Sequence, residues 1–398
     1  MTDAFLTNVL PCGLTVHYLQ HPGPSTVTGL RIGSGHLDDP PGQEGLAHLT
    51  EHMIAGQDEA ETGFLGRDWD ENRGLLRWAP SSTSMVATCY HHLCASDDEE
   101  CAFCGLRDLV FCPNLRDVKH HAQILGCERR QSGDRAVERR ALAAVFGDQR
   151  LSTAASLPDD GPLLAFQLAD VRANHDRWYR PANADLVVVS PRPWEELLPI
   201  LEQAFPGDRI DGKRPVRQPA VVGPPRPGMF INIGNDRRQV GVGAVAALPL
   251  SVEPGAVNLL LHLLRTRLMD VLRAFWRVTY TVQANVEHYG VAQILVIGIS
   301  TSGEQAGRAR DETLGAFAKT DWVKEYLEPC RERLLHELDL RLEPTAISLV
   351  NEALTELTLC GRTLTHEEVR AQVSTMTDER AAAILKDLDE NGLYLDIS

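Results

Sequence analysis

His48 and His52 lie four residues apart and flank Glu51 in Gly45-Leu-Ala-His-Leu-Thr-Glu-His-Met53. On a helix, positions i and i+4 share one face, so both imidazoles come within reach of a single tetrahedral ion. Glu51 projects about 60° around the helix axis from His48, beside such an ion rather than on it. That is the place for a general base acting on a water molecule, and the order His-x-x-Glu-His inverts the commoner zinc-protease motif. Two histidines leave a third protein ligand to be found, with one position kept open for water. It must come from another element. The helical segment 115–130 carries Glu128, His120 and His121, and Glu138 follows; position alone does not choose among them.

The elements that must position these groups alternate between strand and helix patterns. Strand-like Leu14–Leu19 and Thr26–Ile32 precede the histidine helix; Met85–Tyr90, long helices and a closing strand Ala184–Ser190 follow. A stretch with six prolines and four glycines over 205–228 breaks the pattern, and such a composition favours an extended linker. Beyond it, strand-like Met229–Ile233 and Gln239–Val245 precede a helix over Val257–Phe275, strands at Tyr280–Ala284 and Gln293–Ile299, and helices to the end. The order predicts an α+β chain of two related domains, 1–207 and 229–398, joined by a Pro/Gly-rich linker at 208–228. Each is expected to be a mostly antiparallel sheet packed against helices.

Charge and cysteine usage narrow the function classes. A formal charge of −16 over 398 residues disfavours a phosphate-binding surface, so nucleic acid is not an expected partner. That net field would tend to attract basic peptides. No eighteen-residue apolar stretch and no basic, then apolar, N-terminal segment occurs, so neither membrane spanning nor secretion is expected. Nine cysteines, six of them crowded between Cys89 and Cys127, form no disulfide framework and fit a reducing cytoplasm. Cys101 and Cys104 make a lone CxxC within a helical pattern. They read as helix thiols, since a structural zinc needs four convergent ligands.

The histidine segment resembles the signature of the M16 metallopeptidases, the family of pitrilysin, insulin-degrading enzyme and mitochondrial processing peptidase. The preceding Arg31-Ile-Gly-Ser-Gly-His-Leu-Asp-Asp-Pro-Pro-Gly-Gln-Glu44 is similar to the family's approach to that helix, and Trp178-Tyr-Arg-Pro-Ala-Asn183 to its Tyr-Arg-Pro-x-Asn turn. In the family the third ligand is a Glu roughly 75 residues after the second His; Glu128 stands 76 after His52. The resemblance therefore implies Zn²⁺ held by His48, His52 and Glu128, with Glu51 as the catalytic base. It also implies that Arg273 and Tyr280, which match the family's Arg-Glu-x-x-Gly-Leu-x-Tyr element in those two residues only, contact substrate carbonyls or the oxyanion. A substrate peptide would add as a strand to an edge of the first sheet.

Departures from the family pattern limit what carries over. His121 stands where members commonly have another Glu, Leu75-Leu-Arg-Trp-Ala79 replaces the strand with an Asn-Ala pair, and His262–Met269 replaces a glycine-rich loop. Arg77 could favour an acidic substrate residue. A chain with two such domains is half the size of the clamshell members, so a homodimer, or a heterodimer with a second M16 subunit, is expected. The activity implied is zinc-dependent endopeptidase cleavage of unfolded peptides or of a leader peptide inside a dimeric chamber. The alternative is a non-catalytic M16-like subunit with a structural or peptide-presenting role.

Overall fold

The computed structural model describes residues 4–56, 81–131, 160–207, 215, 228–229, 240–249, 251–288, 293–339, 344–391 and 394–397. Arg77 with its neighbours 75–79, Glu138 and most of the 208–228 linker lie outside the described residues. The described residues up to 131, 160–215 and 344–364 pack as one unit, and those over 228–339 and 365–397 as a second.

The first unit is built on a six-stranded sheet of β1 (Leu6–Val9), β2 (Thr15–Gln20), β3 (Ser25–Ile32), β4 (Ser81–Thr83), β5 (Thr88–Ala95) and β6 (Ala184–Ser190), in the order β1-β2-β6-β3-β5-β4. Only β2 and β6 run parallel; the other neighbours are antiparallel. Alternation along β3 sends Leu30 and Ile32 to one face and Val27, Gly29 and Arg31 to the other. The first face is covered by α1 (Leu46–Ala55), α2 (Glu99–Phe111), α3 (Val118–Gln131), α4 (Asp160–Ala165), α5 (Leu168–Trp178) and α6 (Trp194–Ala204). Leu14, Val16, Leu30, Leu49, Ile54, Phe103, Leu125, Leu186 and Leu201 form a continuous core there. Burying each of these large side chains contributes on the order of 1.5–3 kcal/mol.

The opposite face is covered from far along the chain. Three helices of the second unit come first: α7 (Pro254–Leu268), α8 (Ala306–Ala318) and α9 (Val323–Asp339). The next helix, α10 (Ala346–Cys360), returns to the first sheet and sets Val350, Ala353, Leu354 and Leu357 against Val27, Val187 and Val189. Thr345 caps it by accepting from the Ser348 amide at 3.1 Å, and Gly361 ends it at φ 71°, a conformation that suits glycine. Gly29 lies directly beneath: a Cβ there would come within 2.6 Å of Leu354 and 2.7 Å of Val350.

The second unit is a five-stranded sheet of β7 (Gly228–Met229), β8 (Val240–Leu248), β9 (Val282–His288), β10 (Gln293–Thr301) and β11 (Tyr394–Ile397), ordered β7-β11-β8-β10-β9. Here too the pairing is antiparallel except between β11 and β7. With α7, α8, α9, α11 (His366–Ser374) and α12 (Asp378–Asn391) it encloses a core that includes Leu260, Leu264, Ile297, Phe317 and Leu385. The helix expected over Val257–Phe275 begins at Pro254 and changes at Met269 to a π-helical winding that runs to Phe275. Tyr280, expected at a strand start, precedes β9 and is 80% exposed. The α+β class and the mostly antiparallel sheets are those the strand and helix patterns predict. No described helix is long and apolar enough to cross a membrane.

Candidate metal centre

Helix α1 starts at Gly45, which sits at φ 91° in the left-handed region that favours glycine. Its first amides would be left without acceptors, and Asp39 supplies them: the Gly45 and Ala47 N–H groups donate to its two carboxylate oxygens at 2.8 and 2.7 Å. Burial pushes the Asp39 carboxyl up, to about 8, against the opposing pull of those two amides. Leu46, Leu49, Met53 and Ile54 fix the inner face of α1 in the core, and Asn174 of α5 donates to Thr50 at 2.9 Å. This packing turns His48, Glu51 and His52 together away from the apolar core.

Helix α3 brings the third group. Ala122 and Leu125 are buried, and Glu128 follows one turn after Leu125 with its side chain 45% exposed. Contact between α1 and α3 is close at Gly56, where a Cβ would lie 2.8 Å from both the His121 ring and the His52 carbonyl oxygen. His121, at the position where a second Glu is common in the family, is therefore a packing residue behind α1; burial, first, lowers its pKa, with His120 and His52 adding.

The structure brings His48, His52 and Glu128 together. His48 Nε2 and His52 Nε2 are 3.2 Å apart, His52 Nε2 and Glu128 Oε2 3.1 Å, and His48 Nε2 and Glu128 Oε2 3.8 Å. Among the described residues these three are the group of His, Cys, Asp and Glu side chains disposed to hold a metal ion. The point in their plane equidistant from the three atoms lies about 2.0 Å from each, a Zn–N or Zn–O bond length. The donor set and its spacing thus fit zinc. Neither His120 nor the CxxC pair joins the cluster.

Glu51 is 4% exposed and stands beside the triad, with Oε2 3.5 Å from His48 Nε2. Strand β4 holds it: the Ser81 hydroxyl donates to Oε1, and the Thr83 hydroxyl donates to Oε2 at 2.9 Å. Burial raises the Glu51 pKa, while Ser81, His52 and Thr83 act in the opposite sense. A carboxylate so held is oriented and more basic than a solvated one, which suits a proton acceptor. Ser81 and Thr83 escape sequence reasoning because a three-residue strand has no readable period. His36 is a further neighbour that the sequence reading missed, its ring centroid 5.6 Å from that of His48 and edge-on to it.

Arg273 and Tyr280 lie in the second unit. The guanidinium of Arg273 sits 4.7 Å from the centre of the Tyr280 ring, so these two are neighbours in space as well as members of one motif.

Comparison with known proteins agrees with this architecture. Residues 15–158 match the family described as Insulinase (Peptidase family M16), and residues 165–321 match the domain described as Peptidase M16 inactive domain. No curated protein sequence is significantly similar to the chain. Among solved structures, a peptidase M16 inactive domain from Pseudomonas fluorescens superposes with a TM-score of 0.81 at 16% identity, covering 99% of this chain and 97% of that one. The first half of the periplasmic protease PqqL from Escherichia coli gives 0.77 at 18% identity, covering 100% and 92%. The complete PqqL gives 0.75 at 17% identity, with 99% of this chain covering 47% of that one. These likenesses show a shared fold, and the two M16 domain matches, in chain order over 15–158 and 165–321, show that the chain belongs to peptidase family M16.

Proposed function

We propose that the chain is a zinc-dependent endopeptidase that cleaves unfolded peptides or a leader peptide. The observation that carries this reading is the convergence of His48, His52 and Glu128 on one point, with Glu51 oriented beside it by β4. Zinc, when bound, supplies Lewis-acid polarisation of the scissile carbonyl and acidifies water. His48 and His52 offer their Nε2 atoms and Glu128 its Oε2 to hold it. Glu51 accepts a proton on the carboxylate that Ser81 and Thr83 keep in place, and returns it to the leaving amine. Among the described residues β4 is the outer strand of its sheet, and its outer side offers backbone groups to an extended peptide next to Glu51. In this reading Arg273 and Tyr280 contact substrate carbonyls. The chain spans about half of the complete PqqL, which supports a dimer, of like or unlike M16 subunits, as the working assembly.

A second reading, a non-catalytic peptide-presenting subunit of a heterodimer, is favoured by the match of residues 165–321 to a domain described as inactive. Metal content by elemental analysis, coupled to cleavage of a quenched unstructured peptide, separates the two. One zinc per chain, lost in Glu128→Gln, with cleavage abolished in Glu51→Gln, supports the peptidase. Zinc without cleavage by the isolated chain points to a missing partner subunit, and absence of both zinc and cleavage supports the non-catalytic subunit.

A further inference from the structure

Three of the few large apolar side chains exposed among the described residues fall within six positions: Phe275 at 71%, Trp276 at 38% and Tyr280 at 80%. Phe275 closes the π-helical turn Met269–Phe275, a winding found disproportionately at functional sites, and Trp276 and Tyr280 follow it. The chain then turns at Arg277, a non-glycine residue at φ 58°. Backbone strain of this kind persists where the surroundings over-determine it. Phe275 and Trp276 meet edge to face with ring centres 4.6 Å apart. The guanidinium of Arg308 lies 3.7 Å over the Trp276 ring, that of Arg273 lies 4.7 Å from the centre of the Tyr280 ring, and the Trp276 indole N–H donates to Glu312 at 2.9 Å. Among the described residues, none of Arg273, Arg277 and Arg308 is ion-paired with a carboxylate. On a chain of net charge −16, this is a local reversal of sign joined to an exposed aromatic surface.

We infer that Arg273, Phe275, Trp276, Arg277, Tyr280 and Arg308 form an anchoring site for acidic peptide segments that carry an aromatic or large apolar residue. The inference deepens the peptidase reading by naming its substrate class, and it adds four residues to the Arg273/Tyr280 pair. Charge complementarity selects the acidic partner: guanidinium groups already aligned over aromatic rings keep free N–H donors for carboxylates. Exposed aromatic faces accept an apolar side chain, and arginine and aromatic anchors carry most of the energy in peptide recognition. Arginines on aromatic rings also suit single-stranded nucleic acid, but the net charge opposes a long polyanion. In addition, β9 begins two residues after Tyr280 and is, among the described residues, the outer strand of its sheet, so its outer edge offers backbone pairing that only a peptide can use.

The test is fluorescence anisotropy with the full-length Glu51→Gln chain and a fluorescein-labelled, unstructured peptide rich in Glu with a single Phe. The same peptide with Lys in place of Glu, and a single-stranded oligonucleotide, serve as competitors. The acidic peptide is expected to bind, more weakly as salt rises, and to lose about tenfold in affinity with Phe275→Ala and again with Arg308→Ala. Both side chains are exposed, so thermal melts of the variants should overlay the parent. Equal binding of the Lys peptide, no loss in Phe275→Ala with Arg308→Ala, no binding of the acidic peptide, or preference for the oligonucleotide would each overturn the inference. Binding that depends on the patch, with neither zinc nor cleavage in the unmutated chain, would sink the peptidase reading and leave the anchoring site standing. Cleavage of the acidic peptide with no dependence on the patch would do the reverse.

Discussion

The Nε2 atom of His52 lies 3.1 Å from Oε2 of Glu128, across 76 residues of chain. Helix α1 supplies one and helix α3 the other, and the pairing exists because the apolar faces of both helices are committed to one core. Every functional expectation for the first unit depends on that convergence.

Loss of either donor should therefore cost metal before it costs fold. In Glu128→Gln and His52→Ala, zinc affinity measured by chelator competition should drop by more than the roughly 10–100-fold typical of removing an outer-shell partner. The far-ultraviolet circular dichroism should be unchanged, since Glu128 is half-exposed and belongs to no apolar cluster. Retention of full zinc affinity in both variants would show that the ion binds elsewhere.

The hydroxyl donors on β4 give a prediction about acidity. A hydrogen bond to a carboxylate favours its charged form, so removing one raises the pKa further. In Ser81→Ala and in Thr83→Ala, the acidic limb of the pH profile of kcat/KM for peptide cleavage should move to higher pH. Each substitution also leaves a buried carboxylate oxygen short of a partner, at a cost of about 1–3 kcal/mol in denaturant titrations. An unmoved limb would mean that Glu51 is not the group it reports.

How much of this was legible before any coordinates follows from the range of each interaction. His48, Glu51 and His52 lie within five residues, and the helical period alone puts them on one side of α1. Glu128 does not yield to that argument: His120, His121 and Glu138 compete until the tertiary contact of α1 with α3, or a family resemblance, selects one. Ser81 and Thr83 sit on a strand too short to show alternation. The return of α10 to the first sheet is invisible for a related reason, because its apolar stripe says that it packs but not on what.

Asp39 should matter to both stability and metal. It accepts from two amides at the start of α1, one turn from His48. Asp39→Ala leaves both without that acceptor in a buried setting, and the loss of a cap of this kind costs about 0.5–2 kcal/mol. Zinc affinity should fall with it as the first turn loosens. Chelator competition and urea denaturation on one preparation would check the pair, and an unchanged affinity beside a clear stability loss would separate the cap from the site.

His92 predicts an acid-sensitive fold. It is buried on β5, and burial lowers its pKa from 6.5 to about 4. The unfolded chain binds a proton at this side chain near pH 6.5 while the native chain refuses it until about pH 4. Its contribution is thus complete above 6.5 and is lost as pH falls through that window, on the order of 3 kcal/mol in all. Urea midpoints at pH 7 and pH 4.5 should differ less in His92→Gln than in the parent. The same pH dependence in both would assign the proton uptake to another group.

The packing of α10 on β3 can be tested at a residue with no side chain. A Cβ at Gly29 would come within 2.6 Å of the Leu354 side chain and 2.7 Å of Val350, both buried against Val27 and Val189. Those contacts end on side-chain methyls, so the helix can move outward, but only by giving up part of the apolar interface that holds it. Gly29→Ala should therefore destabilise the chain by about 1–3 kcal/mol, the usual range for overpacking, and Gly29→Val by more. Hydrogen exchange should show α10 losing protection ahead of β2 and β6, whose other face rests on a separate core. Gly29→Val with parental stability would mean that α10 does not lie on this face of the sheet in solution.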